Sequence, residues 1–369
     1  MRTLQEFCQS VTERSGSDLH LTVGSCPRIR QDGRLQLLSD VPLSREEIQC
    51  MVEELLTPQQ QLELSAVKEL DCSMTLEHIG RFRCHVYQQQ GAIALALRVI
   101  PRQPPSFEEL ALPPVLAELI DRPQGLVLVV GPTGSGKSTT LSAMIDEINS
   151  RRAAHIVTIE DPIEFSYVPK KALITQREIG EDARDFSSAL KGVLRQDPDV
   201  VCLGELRDFD TIHSALTIAE TGHLTLATVH TNSAVQTINR LIAAHPPHQH
   251  DEVRAQLSMV LAGIISQRLV PNAGGKGRVL AVEVMIPTPA IRNLIREDKI
   301  HQIYSIMQTG QAKHGMQTMN QALADLCRQG LITSQVAIAS TPQPEELMRI
   351  LDRNRGERGA TRLTHVRLR

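Results

Sequence analysis

The chain has 369 residues, more than a single hydrophobic core usually holds, so two domains are expected. Its hydrophobic content of 41% is that of an ordinary folded protein, and its formal net charge of -3 argues against binding nucleic acid or anionic membranes through overall charge. Aromatic residues make up only 2% of the chain, which disfavours a platform that stacks single-stranded bases, so no nucleic-acid partner is expected.

Cysteine usage and the N-terminal segment favour a reducing cytoplasm. None of the seven cysteines forms a C-x-x-C pair, which argues against a cysteine-based zinc site. The first residues lack the apolar core of a signal peptide. The most membrane-like stretch, 255–267, is shorter than the ~20 residues that span a bilayer. Any association with a membrane is therefore expected to occur through partner proteins.

Residues 1–100 predict a small α+β domain. Leu4, Phe7 and Val11 share one helical face, and the pair Asp32-Gly33 predicts a β-hairpin. The other expected elements are strands at 18–23, 28–30, 34–37, 81–87 and 92–99, and a helix at 44–56 with a capping box formed by Ser44 and Glu47.

The proline-rich segment 101–105 interrupts regular structure and is expected to be a linker. A second domain is expected at 106–340, followed by a tail at 341–369. The end of that tail, 352–369, is rich in arginine and poor in apolar residues, which predicts a disordered basic segment. A solvated end and a segment that docks on anionic lipid or a partner both fit this composition.

The second domain alternates strands and helices, the pattern of a parallel-sheet α/β domain. Strands are expected at 125–130, 155–160, 199–204, 223–229 and 278–286. Helices are expected at 183–195, 208–220, 232–244 and 251–267, and the chain then turns helical at 289–297, 300–308 and 316–329.

A phosphate-binding loop is predicted between the first of these strands and the helix that follows. Its residues have the G-x-x-x-x-G-K-[ST] spacing and are Gly131, Pro132, Thr133, Gly134, Ser135, Gly136, Lys137, Ser138 and Thr139. The glycines permit a backbone whose N–H groups point inward, and the helix start adds its positive dipole end. Lys137 would reach the β- and γ-phosphates, and the Ser138 hydroxyl would bind Mg²⁺. The alternative, a simple glycine turn, does not require this spacing.

Carboxylates close two other strands of the second domain. Glu205 follows strand 199–204, where the acid of a Walker B motif would lie. Glu160, Asp161 and Glu164 crowd the end of strand 155–160, which is costly unless cations neutralise them. Mg²⁺ or basic side chains could do so, although an ordinary acidic loop is an alternative.

Histidines and arginines supply the remaining candidates. His223 and His230 lie at opposite ends of strand 223–229, so they cannot share a metal ion through local geometry. Each could bind a phosphate or the catalytic carboxylate, and a structural role is the alternative for each. Basic side chains that could reach the γ-phosphate, or form surface salt bridges instead, are Arg81, Arg83, Arg98, Arg195 and Arg207.

With these residues in view, the chain resembles the secretion ATPase superfamily of type II secretion and type IV pilus motors. Residues 194–208, running from Leu194-Arg195-Gln196-Asp197-Pro198 to Gly204-Glu205-Leu206-Arg207-Asp208, are similar to its signature. Residues 158–164 resemble its Asp box, and residues 219–231 resemble its His box. The stretch Ala290-Ile291-Arg292-Asn293-Leu294-Ile295-Arg296-Glu297 matches a motif of the retraction ATPases. Extension and secretion ATPases usually carry an additional N-terminal domain and a four-cysteine zinc insertion. Neither is expected here, which favours the retraction ATPases.

The resemblance implies an α/β protein with a PAS-like N-terminal domain, a RecA-like P-loop ATPase domain and C-terminal helices. It implies a cytoplasmic homohexamer that uses ATP and Mg²⁺ to power pilus retraction at the inner face of the inner membrane. Its partners would be an inner-membrane platform protein and an accessory retraction ATPase. By position, Glu205 would be the general base, and Glu164 and His230 would complete the site. His223 would be a relay to the subunit interface, while Arg81, Arg83 and Arg98 would stabilise charge.

Four other functions remain open from the sequence. The same hydrolysis could serve an accessory retraction ATPase or an assembly or secretion ATPase. A nucleic-acid translocating motor is disfavoured by the low aromatic content and the slightly acidic charge. A regulatory module that binds nucleotide without turnover would be favoured only if the purified hexamer proves inactive.

Overall fold

The computed structural model describes residues 2–352, and these divide into two compact units. One unit contains the residues up to Pro104 together with the segment Pro162–Val168. The other contains Pro105–Asp161 and the residues from Pro169 onward. The predicted basic tail, apart from Asp352, lies outside the described residues.

The first unit is an α+β structure built on an antiparallel sheet. Its helices are α1 (Leu4–Glu13), α2 (Arg45–Leu55) and α3 (Pro58–Val67). Its strands are β1 (Asp18–Thr22), β2 (Arg28–Gln31), β3 (Arg34–Leu37), β4 (Glu69–Leu76), β5 (Gly80–Gln89) and β6 (Ala92–Ile100). Among the described residues they form a six-stranded sheet in the order β3-β2-β1-β6-β5-β4.

Local signals explain most of the first unit. The hairpin at Asp32-Gly33 is confirmed, with β2 and β3 paired in antiparallel register. The capping box at Ser44 and Glu47 is confirmed at the start of α2. Helix α3 and strand β4 were not predicted. Helix α3 buries only Leu64, so its sequence has little of the helical periodicity that reveals a core-facing helix.

The second unit is an α/β structure on a mostly parallel sheet. Its strands are β7 (Gly125–Val130), β8 (His155–Glu160), β9 (Leu173–Glu178), β10 (Val200–Leu203), β11 (Leu224–Val229), β12 (Leu261–Pro271) and β13 (Arg278–Met285). In the described chain their order is β13-β12-β7-β11-β10-β8-β9, and β13 is antiparallel to β12. Strands β7 and β11 are adjacent and fully buried, because helices cover both faces of such a sheet.

Helices connect these strands and then form the C-terminal part of the unit. They are α4 (Val115–Ile120), α5 (Lys137–Arg151), α6 (Phe186–Val193), α7 (Phe209–Glu220), α8 (Ala234–Ala243), α9 (His250–Val260), α10 (Pro289–Arg296), α11 (Ile303–Thr309), α12 (Gln311–His314), α13 (Met319–Arg328) and α14 (Ser334–Ala339). Short 3₁₀ turns lie at Leu194–Gln196, Pro247–Gln249 and Ile300–Gln302. In residues 2–352, no helix combines the length and the apolar composition needed to cross a membrane.

The predicted helix at 251–267 is wrong in its second half. Helix α9 ends at Val260, and the chain continues as strand β12, which lies between β7 and β13. A strand with both faces buried is a continuous apolar run, so its sequence lacks the alternation that distinguishes strand from helix. Gly263 and the β-branched pair Ile264-Ile265 favour the strand. Strand β9 was also missed.

Candidate nucleotide site

The predicted phosphate loop lies between β7 and α5, the strand–loop–helix context that its spacing requires. Gly131, Gly134 and Gly136 all have positive φ angles, of 151°, 76° and 88°. A Cβ atom on Gly131 would lie 2.5 Å from the backbone oxygen of Gln267 and 2.5 Å from Ser135 Oγ. A larger residue at position 131 would therefore collide with strand β12 and with the loop itself.

Polar groups inside the loop suit a bound polyanion. Lys137 is the first residue of α5, and its Nζ atom donates to the backbone oxygens of Gly131, at 2.9 Å, and Pro132, at 3.2 Å. The Ser135 hydroxyl is buried and has no hydrogen-bond partner among the described residues. An ammonium group and an unpaired hydroxyl at a helix N-terminus fit phosphate oxygens. The residues present therefore fit a nucleoside phosphate.

A line of side-chain contacts joins this loop to the predicted acid. Glu205 follows β10, and its Oε1 atom lies 3.4 Å from His230 Nε2. His230 follows the neighbouring strand β11, and its Nδ1 atom lies 3.4 Å from the Thr133 hydroxyl in the loop. An imidazole protonated at Nε2 would donate to Glu205 and accept from Thr133. The second carboxylate oxygen of Glu205 pairs with Arg207 Nε at 2.9 Å.

Buried polar contacts hold the strand ends around this line. The Thr228 hydroxyl donates to the backbone oxygen of Gly204, and Leu206 N donates to the backbone oxygen of Thr228 at 2.9 Å. Gln267, buried in β12, donates from Nε2 to the Thr140 hydroxyl on α5 at 2.6 Å. Sequence reasoning missed Gln267 because it assigned that residue to a helix.

The family model described as "Type II/IV secretion system protein" matches residues 106–339, more than half of the chain. The chain belongs to this family. The superfamily resemblance inferred from the motifs is therefore confirmed.

Relatives within the family match almost the whole chain. The type IV pilus retraction ATPase PilT of Pseudomonas aeruginosa is 44% identical over 342 residues, which cover 93% of this chain and 99% of that relative. The type IV pilus ATPase PilU of the same organism is 39% identical, covering 93% of this chain and 90% of PilU. A crystal structure of the retraction motor PilT with bound ADP has a TM-score of 0.87 at 47% identity, over 95% of this chain and 100% of that one.

Two acids of the secretion-family Asp box fall in different units. Glu160 ends β8 in the second unit, where its Oε1 atom accepts from the Thr158 hydroxyl at 2.7 Å and from Gln176 Nε2 at 3.2 Å. Glu164 lies in the segment Pro162–Val168, which groups with the first unit. Neutral hydrogen-bond donors therefore contribute to stabilising the Glu160 carboxylate. Gln176, on the missed strand β9, had not been singled out.

His223 is not close to the loop. It precedes β11, and its Nδ1 atom lies 3.1 Å from the backbone oxygen of Ile218 and 3.2 Å from the Thr221 hydroxyl. Both partners belong to the end of α7. The structure therefore brings His230, but not His223, to the Glu205 carboxylate.

Arg81, Arg83 and Arg98 lie on one face of the first unit's sheet, away from its core. Arg83 and Arg98 are directly opposite each other on β5 and β6. Arg98 Nε pairs with Asp18 at 2.8 Å, and Arg81 donates to the hydroxyls of Ser73, at 2.7 Å, and Thr75, at 3.3 Å. Burial tends to raise the pKa of Asp18, but hydrogen bonds from Ser17 and Arg98 outweigh it and lower that pKa.

Proposed function

We propose that this chain is a Mg²⁺-dependent ATPase that powers retraction of type IV pili. The observation that carries the proposal is the contact line from Thr133 through His230 to Glu205, which links a phosphate loop to a general base. It occurs in a chain that matches a pilus retraction ATPase over 99% of that relative's length.

The loop residues Gly131–Thr139 bind the triphosphate in this proposal. Lys137 Nζ, now bonded to two loop carbonyls, would move to the β- and γ-phosphate oxygens. Ser138, in the first turn of α5, is the residue that would hold Mg²⁺. The ion would neutralise charge on the phosphate oxygens.

Glu205 accepts the proton of the attacking water in the hydrolysis step. It must free one carboxylate oxygen to do so, and the pair with Arg207 is the one to open, since the arginine side chain is 66% exposed. An exposed ion pair contributes at most about 1 kcal/mol, so its opening costs little. His230 keeps the other oxygen aligned towards the loop.

The remaining candidates have supporting roles. Arg81, Arg83 and Arg98 would stabilise charge on the transferring phosphoryl group, and Glu164 would complete the site. His223 is the candidate for a relay between subunits. Residues 1–100 would form the PAS-like domain, 101–105 the linker and 106–340 the RecA-like ATPase domain, which the division of the described chain at Pro104 supports.

The working assembly in this proposal is a cytoplasmic homohexamer. It acts at the inner face of the inner membrane, on a platform protein of the pilus machinery. A PilU-like accessory ATPase would be a further partner, and the similarity to both PilT and PilU supports this family of motors.

The substitution E205Q tests the chemistry. Glutamine keeps the size of the side chain but cannot accept the proton, so kcat should fall by on the order of 10²–10⁴ while ATP binding remains. Turnover is measured as phosphate release, and binding is measured by titration with a fluorescent ATP analogue. Turnover equal to that of the unaltered protein would exclude Glu205 as the base.

A second function, an accessory retraction ATPase, is favoured by the 39% identity with PilU. Expression of the chain in a strain that lacks its retraction ATPase separates the two. Loss of the excess surface pili supports the primary motor. Excess pili that persist, despite measurable ATPase activity of the purified protein, favour the accessory role or an assembly ATPase.

A further inference from the structure

A buried carboxylate in the second unit connects two helices. Glu283 lies on β13 and is only 3% exposed. Its Oε1 atom accepts a hydrogen bond of 2.7 Å from the backbone N–H of Ala234, the first residue of α8. Its Oε2 atom accepts a longer bond of 3.4 Å from the backbone N–H of Met319, the first residue of α13.

In the described part of the chain, Glu283 has hydrogen-bond donors but no cationic partner. Among the described residues, Glu283 forms no ion pair with lysine, arginine or histidine. Burial raises its pKa, while the bonds from Ala234 and Met319 act in the opposite direction. Burying a carboxyl group costs free energy unless hydrogen bonds compensate for the lost contact with water. The N-termini of two helices supply those bonds and add their positive dipole ends.

One of these helices begins just after His230, the histidine that contacts Glu205 and the phosphate loop. Only three residues separate His230 from Ala234, and hydrogen bonds to β12 and to α8 hold this short segment. The Ser266 hydroxyl on β12 donates to the backbone oxygen of Asn232 at 3.2 Å, and the hydroxyls of Thr231 and Thr237 lie 2.7 Å apart. The position of the His230 ring relative to Glu205 therefore depends on where α8 starts.

The other helix belongs to the C-terminal part of the unit. Its approach to β13 is fixed by the pair Val284 and Gln317, which exchange backbone hydrogen bonds of 2.9 and 3.1 Å. Gln317 also donates from Nε2 to the backbone oxygen of Val282 at 2.7 Å. Glu283 thus lies between Val282 and Val284, whose backbones both bond to Gln317 in the segment that leads into α13.

We infer that Glu283 is a positioning residue for ATP hydrolysis. It holds the start of α8, and through it His230, in register with the start of α13. A change at the nucleotide site that moves His230 is passed to the C-terminal helices through one carboxylate. The inference rests on the proposed function, because it assigns His230 a place in ATP hydrolysis.

The substitution E283Q breaks this link with little change in volume. A glutamine side chain has a single acceptor, so its amide nitrogen would face one of the two N–H donors. We expect kcat to fall about 10-fold with KM within about 2-fold, because one of the two hydrogen bonds to a helix N-terminus is lost and its buried N–H donor is left unpaired. A role in packing alone would lower thermal stability and leave kcat unchanged.

A double-substitution cycle with H230N separates positioning from independent damage. If Glu283 acts through His230, adding E283Q to H230N should lower kcat no further. Effects that multiply would overturn the inference. The matched control is E346Q. Glu346 accepts from Tyr304, Gln308 and Asn320 at 2.6–2.7 Å in the C-terminal helices, and none of these partners belongs to α8.

The control should lower the melting temperature without the fall in kcat. A loss of kcat in E346Q equal to that in E283Q would show that any loosening of the C-terminal helices slows turnover, and the inference would fail. If the unaltered protein does not hydrolyse ATP, the proposed function fails instead. If the unaltered protein is active and the E283Q variant is equally active, the inference fails but the proposed function stands.

A measurement on the unaltered protein covers a variant that does not fold. Hydrogen exchange is followed with and without Mg²⁺ and a non-hydrolysable ATP analogue. We expect slower exchange with the analogue both at 230–236 and at 316–322, the two segments that Glu283 joins. Protection confined to 230–236 would overturn the inference.

Discussion

Strand β11 has a histidine at each end, and the two side chains have different surroundings. His230, at the carboxyl end, contacts Glu205 and the loop residue Thr133. His223, at the amino end, contacts only the end of α7 among the hydrogen bonds described. The strand between them spans Leu224–Val229, so seven residue steps of ~3.3 Å separate the two by about 23 Å.

The difference follows from the direction of the sheet. Strands β7, β10 and β11 are parallel, so their carboxyl ends meet at one edge. The phosphate loop, Glu205 and His230 follow these three strands and therefore lie together, as ligand sites in parallel sheets do. His223, at the amino end, lies at the opposite edge of the sheet and bonds to the end of α7, so we expect it to take no direct part in the hydrolysis step.

The largest expected effect is at the loop itself. In the K137A variant the ammonium group that would stabilise the γ-phosphate is absent, and turnover should fall by at least about 10²–10³-fold. Phosphate release measures the loss, and circular dichroism checks that the fold is intact. A folded K137A variant with undiminished turnover would show that the chemistry lies away from the carboxyl edge.

The next effect compares the two histidines with one substitution. Asparagine places an amide nitrogen near the position of Nδ1 but has no equivalent of Nε2. H230N therefore loses the contact with Glu205, and kcat should fall on the order of 10-fold or more. H223N can keep its bond to the Ile218 backbone oxygen and should lose less activity.

Turnover of both variants is measured in the same preparation of full-length protein, with a thermal melt as the stability check. If H223N loses as much turnover as H230N while its melting temperature is unchanged, the histidines at the two ends of β11 do not differ in their importance for hydrolysis. That outcome would favour a role for His223 in a relay between subunits.

Motif spacing predicted the loop, the acid and their common edge, because those residues are contiguous or follow recognisable strands. Sequence could not predict Glu283 or Gln267. Each lies in a strand whose partners, α13 or α5, are distant along the chain. Their buried polar groups become meaningful only when the partner is known. The error at 251–267 also comes from burial, because a strand buried on both faces, like β12, lacks the alternation of apolar and polar residues that distinguishes a strand from a helix.

The structure explains one residue of the motif at 290–297 that resembles the retraction ATPases, which sequence alone could not do. Arg292, on α10, donates to the backbone oxygens of Met259, at 2.8 Å, and Leu261, at 3.0 Å, and to that of Ser258. These carbonyls lie where α9 ends and β12 begins. Arginine thus satisfies the last acceptors of a helix that stops abruptly. From sequence, the same arginine was part of a polar helix face without a partner.

The smallest expected effect concerns a third histidine, His245, which contacts neither the loop nor Glu205 in the described structure. It is 3% exposed, donates from Nδ1 to the backbone oxygen of Leu241 at 2.9 Å, and packs edge-on against Phe209 at 5.0 Å. Burial lowers its pKa from 6.5, and the neighbouring His213 and His250 add to the effect. The neutral ring is therefore the form that the folded state favours.

Because the folded-state pKa is lowered, the stability from the neutral ring is complete above the unfolded value of 6.5 and is lost as the pH falls below it. The melting temperature of the unaltered protein should therefore drop between pH 7.5 and pH 5.5. H245F has no ionisable ring, so its drop should be smaller by roughly 1–4 °C, whatever its stability at pH 7.5. H78F, at a histidine whose side chain is 91% exposed, is the control and should follow the unaltered protein. Equal slopes of melting temperature against pH for all three proteins would mean that His245 is not titrating in the packed core. The distinction between histidines that serve the nucleotide site and histidines that serve packing would then lose its clearest example.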